Sequence, residues 1–182
     1  ARIRAWWVMA VVFMVSVGTG PAGSILLFAT LSFLALREFL TLAPTSPADH
    51  RTLFWCFFVA TPLQYALIWM QWYGLFSILV PVYFSLFIAV RTAIAGDTNR
   101  FLQRAAVTQW AVTICVYFVG YVPALLVLRI PDYQLPNAAL IFFLVFVVQL
   151  SDVLQYVWGK SLGPRPIAPS VCPSKTWEGL AR

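Results

Sequence analysis

Six long apolar segments, separated by short stretches that hold most of the charges, make up most of this chain. A helix needs about 20 mostly apolar residues to cross a membrane, and a spanning segment must satisfy its backbone hydrogen bonds internally. Charged residues are 10% of the chain and hydrophobic residues 62%, whereas soluble domains carry about 25% charged residues. The sequence therefore predicts an all-α integral membrane protein and excludes a soluble domain.

The apolar segments predict six transmembrane helices. Their approximate bounds are residues 5–17, 21–42, 53–70, 72–90, 107–128 and 135–158. The first segment is short for a span, and the first residue is alanine, which favours a processed chain or a fragment. Pro62, Pro81 and Pro123 fall inside three segments. Membrane helices tolerate such prolines where a neighbouring helix satisfies the carbonyl that each proline leaves free.

The distribution of positive charge predicts the orientation of these helices. All of the twelve Lys and Arg residues except Arg129 lie at the N-terminus, in the second and fourth loops, or in the tail. Positive residues are enriched in cytoplasmic loops. We therefore expect both termini in the cytoplasm and a location in a bacterial-type inner membrane. No run or stripe of basic residues tracks a phosphate backbone, which excludes nucleic acid as a partner.

The last apolar segment carries the densest group of polar residues on any predicted span, namely Gln149, Ser151, Asp152, Gln155 and Tyr156. Helical periodicity places Asp152, Gln155 and Tyr156 on one face. A carboxylate inside a membrane helix costs roughly 2.5–3.5 kcal/mol on insertion scales and is usually paired or functional. Two interpretations stay open: a hydrogen-bonded helix-packing network, or the wall of a polar site near the cytoplasmic surface.

The tail that follows is basic and rich in proline. Its first part, 159–163, predicts a flexible break because it begins and ends with glycine. A regular helix is then excluded by Pro164, Pro166, Pro169 and Pro173. Exposed backbone N–H groups together with Lys160, Arg165 and Lys175 can hold anionic oxygens. The alternative is a solvated polybasic segment that contacts anionic lipid headgroups.

These features divide the chain into a transmembrane bundle, residues 1–158, and a cytoplasmic basic, proline-rich loop, residues 159–182. The stretch 99–106 predicts a short amphipathic helix on the membrane surface. Cys56 and Cys115 lie in apolar segments and are interpreted as small apolar side chains. With a single histidine and no close cysteine pair, the sequence disfavours a zinc site.

The end of the chain resembles the phosphatidate cytidylyltransferase family, also called CDP-diacylglycerol synthases. The resemblance rests on Ser151-Asp152, on Tyr156-Val-Trp-Gly-Lys160 and on Cys172-Pro-Ser-Lys-Thr-Trp-Glu-Gly179. Elsewhere only hydropathy and an early Arg-Glu pair agree. Cys172 replaces the serine of the family pattern and is a poorer donor to phosphate oxygen. The later aspartate-rich signature of the family does not occur in residues 1–182, so we expect this stretch alone to be inactive.

The resemblance implies that CTP and phosphatidate react to give CDP-diacylglycerol and pyrophosphate, with Mg²⁺ as cofactor. It assigns catalytic roles to Asp152, Lys175 and Glu178, with Asp152 as the metal or nucleotide-site carboxylate and Lys175 as a phosphate clamp. Glu178 would be a carboxylate at the metal or behind its ligands, and Thr176 a hydrogen-bond donor. Residues 159–182 would then begin the catalytic region. The substrate-binding residues that it implies are Ser151, Lys160, Arg165, Cys172, Ser174 and Thr176.

Two other functions remain open from the sequence. A small transporter or channel is one, although the polar residues cluster at one end of the chain instead of following a path. A non-enzymatic membrane subunit or lipid-binding anchor is the other. Whether the helices pair between two copies, giving a homodimer, is also left open.

Overall fold

The fold was analysed in a computed structural model that describes residues 2–43, 45–131, 134, 136–162, 165–168 and 172–177. Within these residues six long helices precede a two-stranded antiparallel hairpin. The helices are α1 (Arg2–Gly18), α2 (Pro21–Leu42), α3 (Pro47–Trp69), α4 (Tyr73–Ile94), α5 (Phe101–Val127) and α6 (Ala138–Leu162). The strands are β1 (Pro166–Ala168) and β2 (Cys172–Thr176).

Five of these helices, α2 to α6, are long and apolar enough to cross a membrane. The predicted all-helical membrane architecture is therefore confirmed. The apolar part of α1, Trp6–Gly18, is shorter than a span, so a sixth crossing and the side on which the termini lie stay predictions. The chain forms two compact units, Ala1–Asn137 and Ala138–Arg182. The functional division predicted after residue 158 also stays a prediction.

Helices α3, α4 and α5 each contain a wider π-helical turn, and these segments are Cys56–Ala60, Leu79–Phe84 and Thr113–Phe118. Such turns change the backbone hydrogen-bond pattern of a helix. In α4, Pro81 has no N–H to donate to the carbonyl of Ser77, four residues earlier. The hydroxyl of Tyr117, on α5, donates to that carbonyl at 3.1 Å. A neighbouring helix thus satisfies a carbonyl that a proline leaves free.

The core of the first unit is built around α2, which contacts α1, α3 and α5. Its fully buried apolar side chains include Leu36, Cys56, Ala60, Val80, Val112 and Val116. Cys56 and Cys115 are free thiols in this interior, which agrees with their interpretation as small apolar side chains. Hydrogen bonds between helices join the packing, as between the hydroxyls of Ser32 and Tyr65 at 2.5 Å.

The second unit contains α6 and the hairpin. Helix α6 continues without interruption to Leu162, so the predicted flexible break at Gly159 is wrong. In the hairpin Pro166 lies opposite Thr176, and Ala168 lies opposite Cys172, with an irregularity between them. The prolines exclude a helix, as predicted, and short strands with few ladder bonds accommodate them. The sequence analysis did not predict this hairpin.

Candidate active site

A polar stripe runs along one face of α6. Gln155, Tyr156 and Gly159 lie three, four and seven residues after Asp152, and these helical spacings place all four on the same side. Asp152 and Tyr156 are exposed, Gln155 is half-buried and Gly159 is buried. Asp152 lies about three turns before the end of the helix. The stripe therefore leads from a carboxylate inside the apolar helix toward its polar C-terminal end.

Asp152 makes no hydrogen bond or ion pair with any other residue that the structure describes. Its neighbour Ser151 is exposed as well. The helix around them is apolar enough to cross a membrane, and an ionised carboxylate is costly when only hydrocarbon covers it. Within the described residues Asp152 therefore has no partner of the kind that a helix-packing network requires, and both interpretations of this carboxylate stay open.

The hairpin packs on the same face of α6 as Asp152. The Thr176 side chain, at the end of β2, is 8% exposed, and its Oγ1 would lie 3.0 Å from a Cβ atom placed on Gly159. The hairpin is closed beyond its strands by the N–H of Trp177, which donates to the carbonyl of Arg165 at 3.0 Å. Thr176 therefore contacts α6 about 10 Å along the axis from Asp152, because the contact lies seven residues further on.

Two positively charged residues are neighbours of this contact in the chain: Lys160 follows Gly159, and Arg165 precedes Pro166, which pairs with Thr176. The ammonium group of Lys160 lies 5.8 Å from the centre of the Tyr156 ring, within the range of a cation–π interaction. Lys160 and Arg165 are both exposed. Neither forms an ion pair with a carboxylate in the described part of the chain, so both cations can approach an anionic ligand.

The structure places the other predicted site residues as follows. Ser151, Asp152 and Lys160 lie on α6, and Arg165 directly precedes β1. The backbones of Cys172, Ser174, Lys175 and Thr176 form β2. Of these four side chains the structure describes that of Thr176, which it brings to α6. The side chains of Cys172, Ser174 and Lys175, and the whole of Glu178, lie outside the described part, so their predicted roles stay predictions.

One carboxylate on this face, that of Asp152, could help to hold a metal ion that also binds phosphate. No group of three or more His, Cys, Asp and Glu side chains forms a metal site within the residues described. Mg²⁺, however, is commonly held by one or two carboxylates together with substrate phosphates and water. The exposed, unpartnered carboxylate of Asp152 meets that requirement only when phosphate oxygens complete the ligand set.

A second polar group, in the first unit, was not predicted. The stretch 99–106 is no surface helix: it leads into the first turns of α5, and Arg104 within it is 6% exposed. Arg104 Nε lies 3.1 Å from Oδ2 of Asp49, which is 2% exposed. The guanidinium also contacts the Asp97 carboxylate and donates to the Asp97 carbonyl at 3.0 Å. We name Ser46, Asp49, Asp97 and Arg104 the Arg104 cluster.

The Arg104 cluster joins two loops. The Ser46 hydroxyl, in the loop before α3, donates to Oδ2 of Asp97, in the loop before α5, at 2.9 Å. This bond, the Asn99 N–H and the Arg104 guanidinium hold the pKa of the Asp97 carboxyl below its usual value. The two loops therefore lie at the same end of the unit, as the charge distribution predicts. A cavity of roughly 280 Å³ beside them is lined by Thr45, Ser46, Asp97, Asn99, Arg100, Gln103 and Arg104.

No local sequence signal identifies the Arg104 cluster, because Asp49 and Ser46 lie in a loop far from Asp97 and Arg104 in the sequence. The charge of Arg104 indicates a solvated position until Asp49 is known to be its neighbour. The cluster is an ion-paired connection between loops. Its side chains are bonded mainly to one another, whereas Asp152 has no partner among the described residues, and this contrast points to α6 as the candidate active site.

Comparison with known proteins finds a family model that matches the whole chain and curated relatives that match most or half of it. A model described as the cytidylyltransferase family matches residues 1–182. The uncharacterized protein YnbB of Escherichia coli K12 is 34% identical over 179 residues, which are 98% of this chain. The phosphatidate cytidylyltransferase of Mycobacterium leprae is 34% identical over 92 residues, or 50% of this chain. No solved structure matches the chain.

Each curated relative is longer than the part of it that matches this chain. The matched part spans 58% of the length of the Escherichia coli protein and 28% of the Mycobacterium leprae enzyme. The described hairpin and the stripe on α6 are thus one portion of what a complete relative contains.

Proposed function

The chain belongs to the cytidylyltransferase family, and from that premise we propose that the full-length protein transfers a cytidylyl group from CTP to phosphatidate. The products are CDP-diacylglycerol and pyrophosphate. The observation that carries this proposal is the exposed Asp152 carboxylate on a helix long and apolar enough to cross a membrane. Such a carboxylate needs a polar occupant, since hydrocarbon solvates it poorly. The partial similarity to a phosphatidate cytidylyltransferase supports the choice of lipid.

The layout of the chain suits a reaction between a lipid and a water-soluble nucleotide. The apolar helices keep the acyl chains of the lipid in hydrocarbon, where they are most stable. The stripe on α6 ends at Gly159, next to the exposed Lys160, where a nucleotide can enter from water. We place this end on the cytoplasmic side of a bacterial inner membrane, because the positive charges of the chain favour that side and CTP is present there.

The reaction requires two anions to meet. An oxygen of the lipid phosphate attacks the α-phosphorus of CTP, and the bond from that phosphorus to the bridging oxygen breaks as pyrophosphate leaves with the electron pair. Little covalent help is needed from the protein, so positioning and neutralisation of charge provide the catalysis. The site therefore has to gather cations and hydrogen-bond donors around the phosphates.

The residues of α6 and the hairpin supply such groups. Lys175, Lys160 and Arg165 would bind phosphate oxygens as cations. The hydroxyl and thiol side chains that would donate weaker hydrogen bonds are Ser151, Cys172, Ser174 and Thr176. Asp152, with Glu178, would hold Mg²⁺ against the triphosphate, where the ion offsets charge on the leaving pyrophosphate.

Turnover by the full-length protein tests this proposal. In mixed micelles with Mg²⁺, we expect labelled CTP and phosphatidate to give CDP-diacylglycerol and pyrophosphate in equal amounts. Asp152→Asn keeps the size of the side chain but removes its charge, and we expect it to lower kcat/KM for CTP by about 100-fold or more. The matched control is Val153→Ala at the next residue, which is 56% exposed and lies off the polar stripe.

The proposal fails if the wild-type protein forms no CDP-diacylglycerol while it remains folded. It fails in its assignment of the site if Asp152→Asn retains the activity of Val153→Ala. Both variants should unfold at the same temperature as the wild type, because the Asp152 side chain makes no contact with a described residue that its charge would stabilise.

A further inference from the structure

Gly159 is an unexpected residue at its position. It lies inside α6, where glycine is among the weakest helix formers, and it is buried between the exposed residues Trp158 and Lys160. The Oγ1 atom of Thr176 would lie 3.0 Å from a Cβ atom placed there. That distance is shorter than an ordinary non-bonded contact of about 3.5–4.0 Å. The absence of a side chain therefore allows β2 to approach α6 as closely as it does.

We propose that Gly159 is a positioning residue for the nucleotide, because its bare backbone sets the distance between the hairpin and the Asp152 face of α6. This inference rests on the proposed function and deepens it. We name the approach of Thr176 to Gly159 the hairpin contact. A Cβ at residue 159 would require the Thr176 hydroxyl to shift by a few tenths of an ångström. A larger, unlinked side chain extends further toward β2 and would move the end of the strand away from the helix.

The hairpin is held together by bonds that do not involve residue 159. Pro166 pairs with Thr176 and Ala168 with Cys172, and the Trp177 N–H donates to the Arg165 carbonyl at 3.0 Å. A larger residue 159 would therefore displace the hairpin as a body without unpairing its strands. Lys175 and Arg165, which are proposed to bind phosphate, would move with it relative to Asp152.

The distance along the helix between Asp152 and the hairpin contact indicates that displacement of the hairpin affects the binding of the nucleotide more than that of the lipid. Thr176 meets α6 about 10 Å along the axis from Asp152, and the stripe between them is polar. A single headgroup phosphate cannot reach both ends of that stripe, whereas a triphosphate with its nucleoside can. Moving the hairpin therefore weakens the binding of CTP first and leaves the binding of phosphatidate almost unchanged.

Kinetics of the full-length protein test the nucleotide role. We expect Gly159→Leu to raise KM for CTP by about tenfold or more, the scale of overpacking effects, and Gly159→Ala to raise it by a few-fold. KM for phosphatidate should stay within about twofold of the wild-type value. The matched control is Gly74→Ala in α4, because a Cβ at Gly74 meets no atom within 4 Å. A structural defect alone would lower the amount of active protein without changing KM for one substrate.

Cross-linking tests the hairpin contact without any activity. In a background with Cys56, Cys115 and Cys172 replaced by alanine, Gly159→Cys with Thr176→Cys should form a disulfide readily, since a Cβ at 159 fits the close spacing that such bonds need. Mass spectrometry of peptides detects it. Val153→Cys with Thr176→Cys is the control pair and should not form the bond, because Val153 faces away from the stripe.

The outcomes separate the two claims. Absence of the 159–176 disulfide, or an unchanged KM for CTP in Gly159→Leu, overturns the positioning role even if the wild type turns over CTP. If the disulfide forms in the cysteine variant while the wild type shows no cytidylyltransferase activity, the proposed function and the nucleotide role are overturned, while the hairpin contact stands. A selective rise in KM for CTP together with the disulfide supports both claims.

Discussion

The Arg104 cluster and the stripe on α6 place charges in an otherwise apolar chain in two different ways. Arg104 and Asp49 are 6% and 2% exposed, and they lie 3.1 Å apart in an ion pair. Asp152 is exposed on a helix that is long and apolar enough to cross a membrane, and has no described partner. The difference separates charges that are paired within the fold from the charge that we propose binds a ligand.

Energetics explain why both arrangements can exist in one protein. A buried ion pair gains little net stability over an apolar pair of the same shape, but removing one partner is costly because the other charge stays buried alone. An exposed carboxylate contributes little to folding, so the fold tolerates its loss. Substitutions in the two regions should therefore separate stability from function.

The largest effect on stability is expected at Arg104. Arg104→Met keeps the length of the side chain but leaves Asp49 buried without its cation, so we expect the free energy of unfolding to fall by about 3–5 kcal/mol. Chemical unfolding in detergent micelles measures it. Arg51→Met is the control, because Arg51 is exposed on the neighbouring helix, and it should change stability by less than about 0.5 kcal/mol. Equal effects of the two substitutions would contradict a structural role for the cluster.

A smaller effect is expected from the titration of Asp97. Its pKa in the folded protein lies below the ordinary value of 3.8, mainly because the Ser46 hydroxyl, the Asn99 N–H and Arg104 bind the charged form. A depressed pKa stabilises the fold above the unfolded-state value, and that stabilisation is lost as the pH falls through the folded-state value. The stability difference between wild type and Asp97→Asn should thus be constant near neutral pH and shrink below about pH 4. A difference that does not vary with pH would show that Asp97 is unpaired.

The helices were largely predictable because the hydropathy of a segment indicates directly whether it lies in lipid or in water. The predicted bounds of the second helix, residues 21–42, agree with α2 (Pro21–Leu42), where proline and glycine punctuate the chain. The fifth helix was predicted to begin at Val107, whereas α5 begins at Phe101. Its first turns carry Arg104, and the carboxylates that compensate this charge lie in loops that the local pattern does not connect to it.

The candidate site was predictable in part. Asp152 and Tyr156 share a face by periodicity alone, and a continuous helix preserves that face. Gly159 indicated a break, because the sequence offers no local reason for a buried helical glycine. The reason is Thr176 of β2, which lies close to Gly159. This approach depends on the pairing of β1 with β2, which a proline-rich sequence does not predict. A local sequence pattern does not predict contacts between residues that are far apart in the chain.

Equilibrium binding of CTP tests most directly the claim that the stripe on α6 and the hairpin hold a nucleotide. Calorimetric titration of the full-length protein in micelles with Mg²⁺, without lipid substrate, measures the Kd of the wild type, Lys175→Gln and Arg51→Met. Loss of a charge-assisted contact should raise Kd by about tenfold or more in Lys175→Gln, whereas Arg51→Met should bind as the wild type does. Equal Kd values for all three proteins, or no binding by the wild type, would contradict the account.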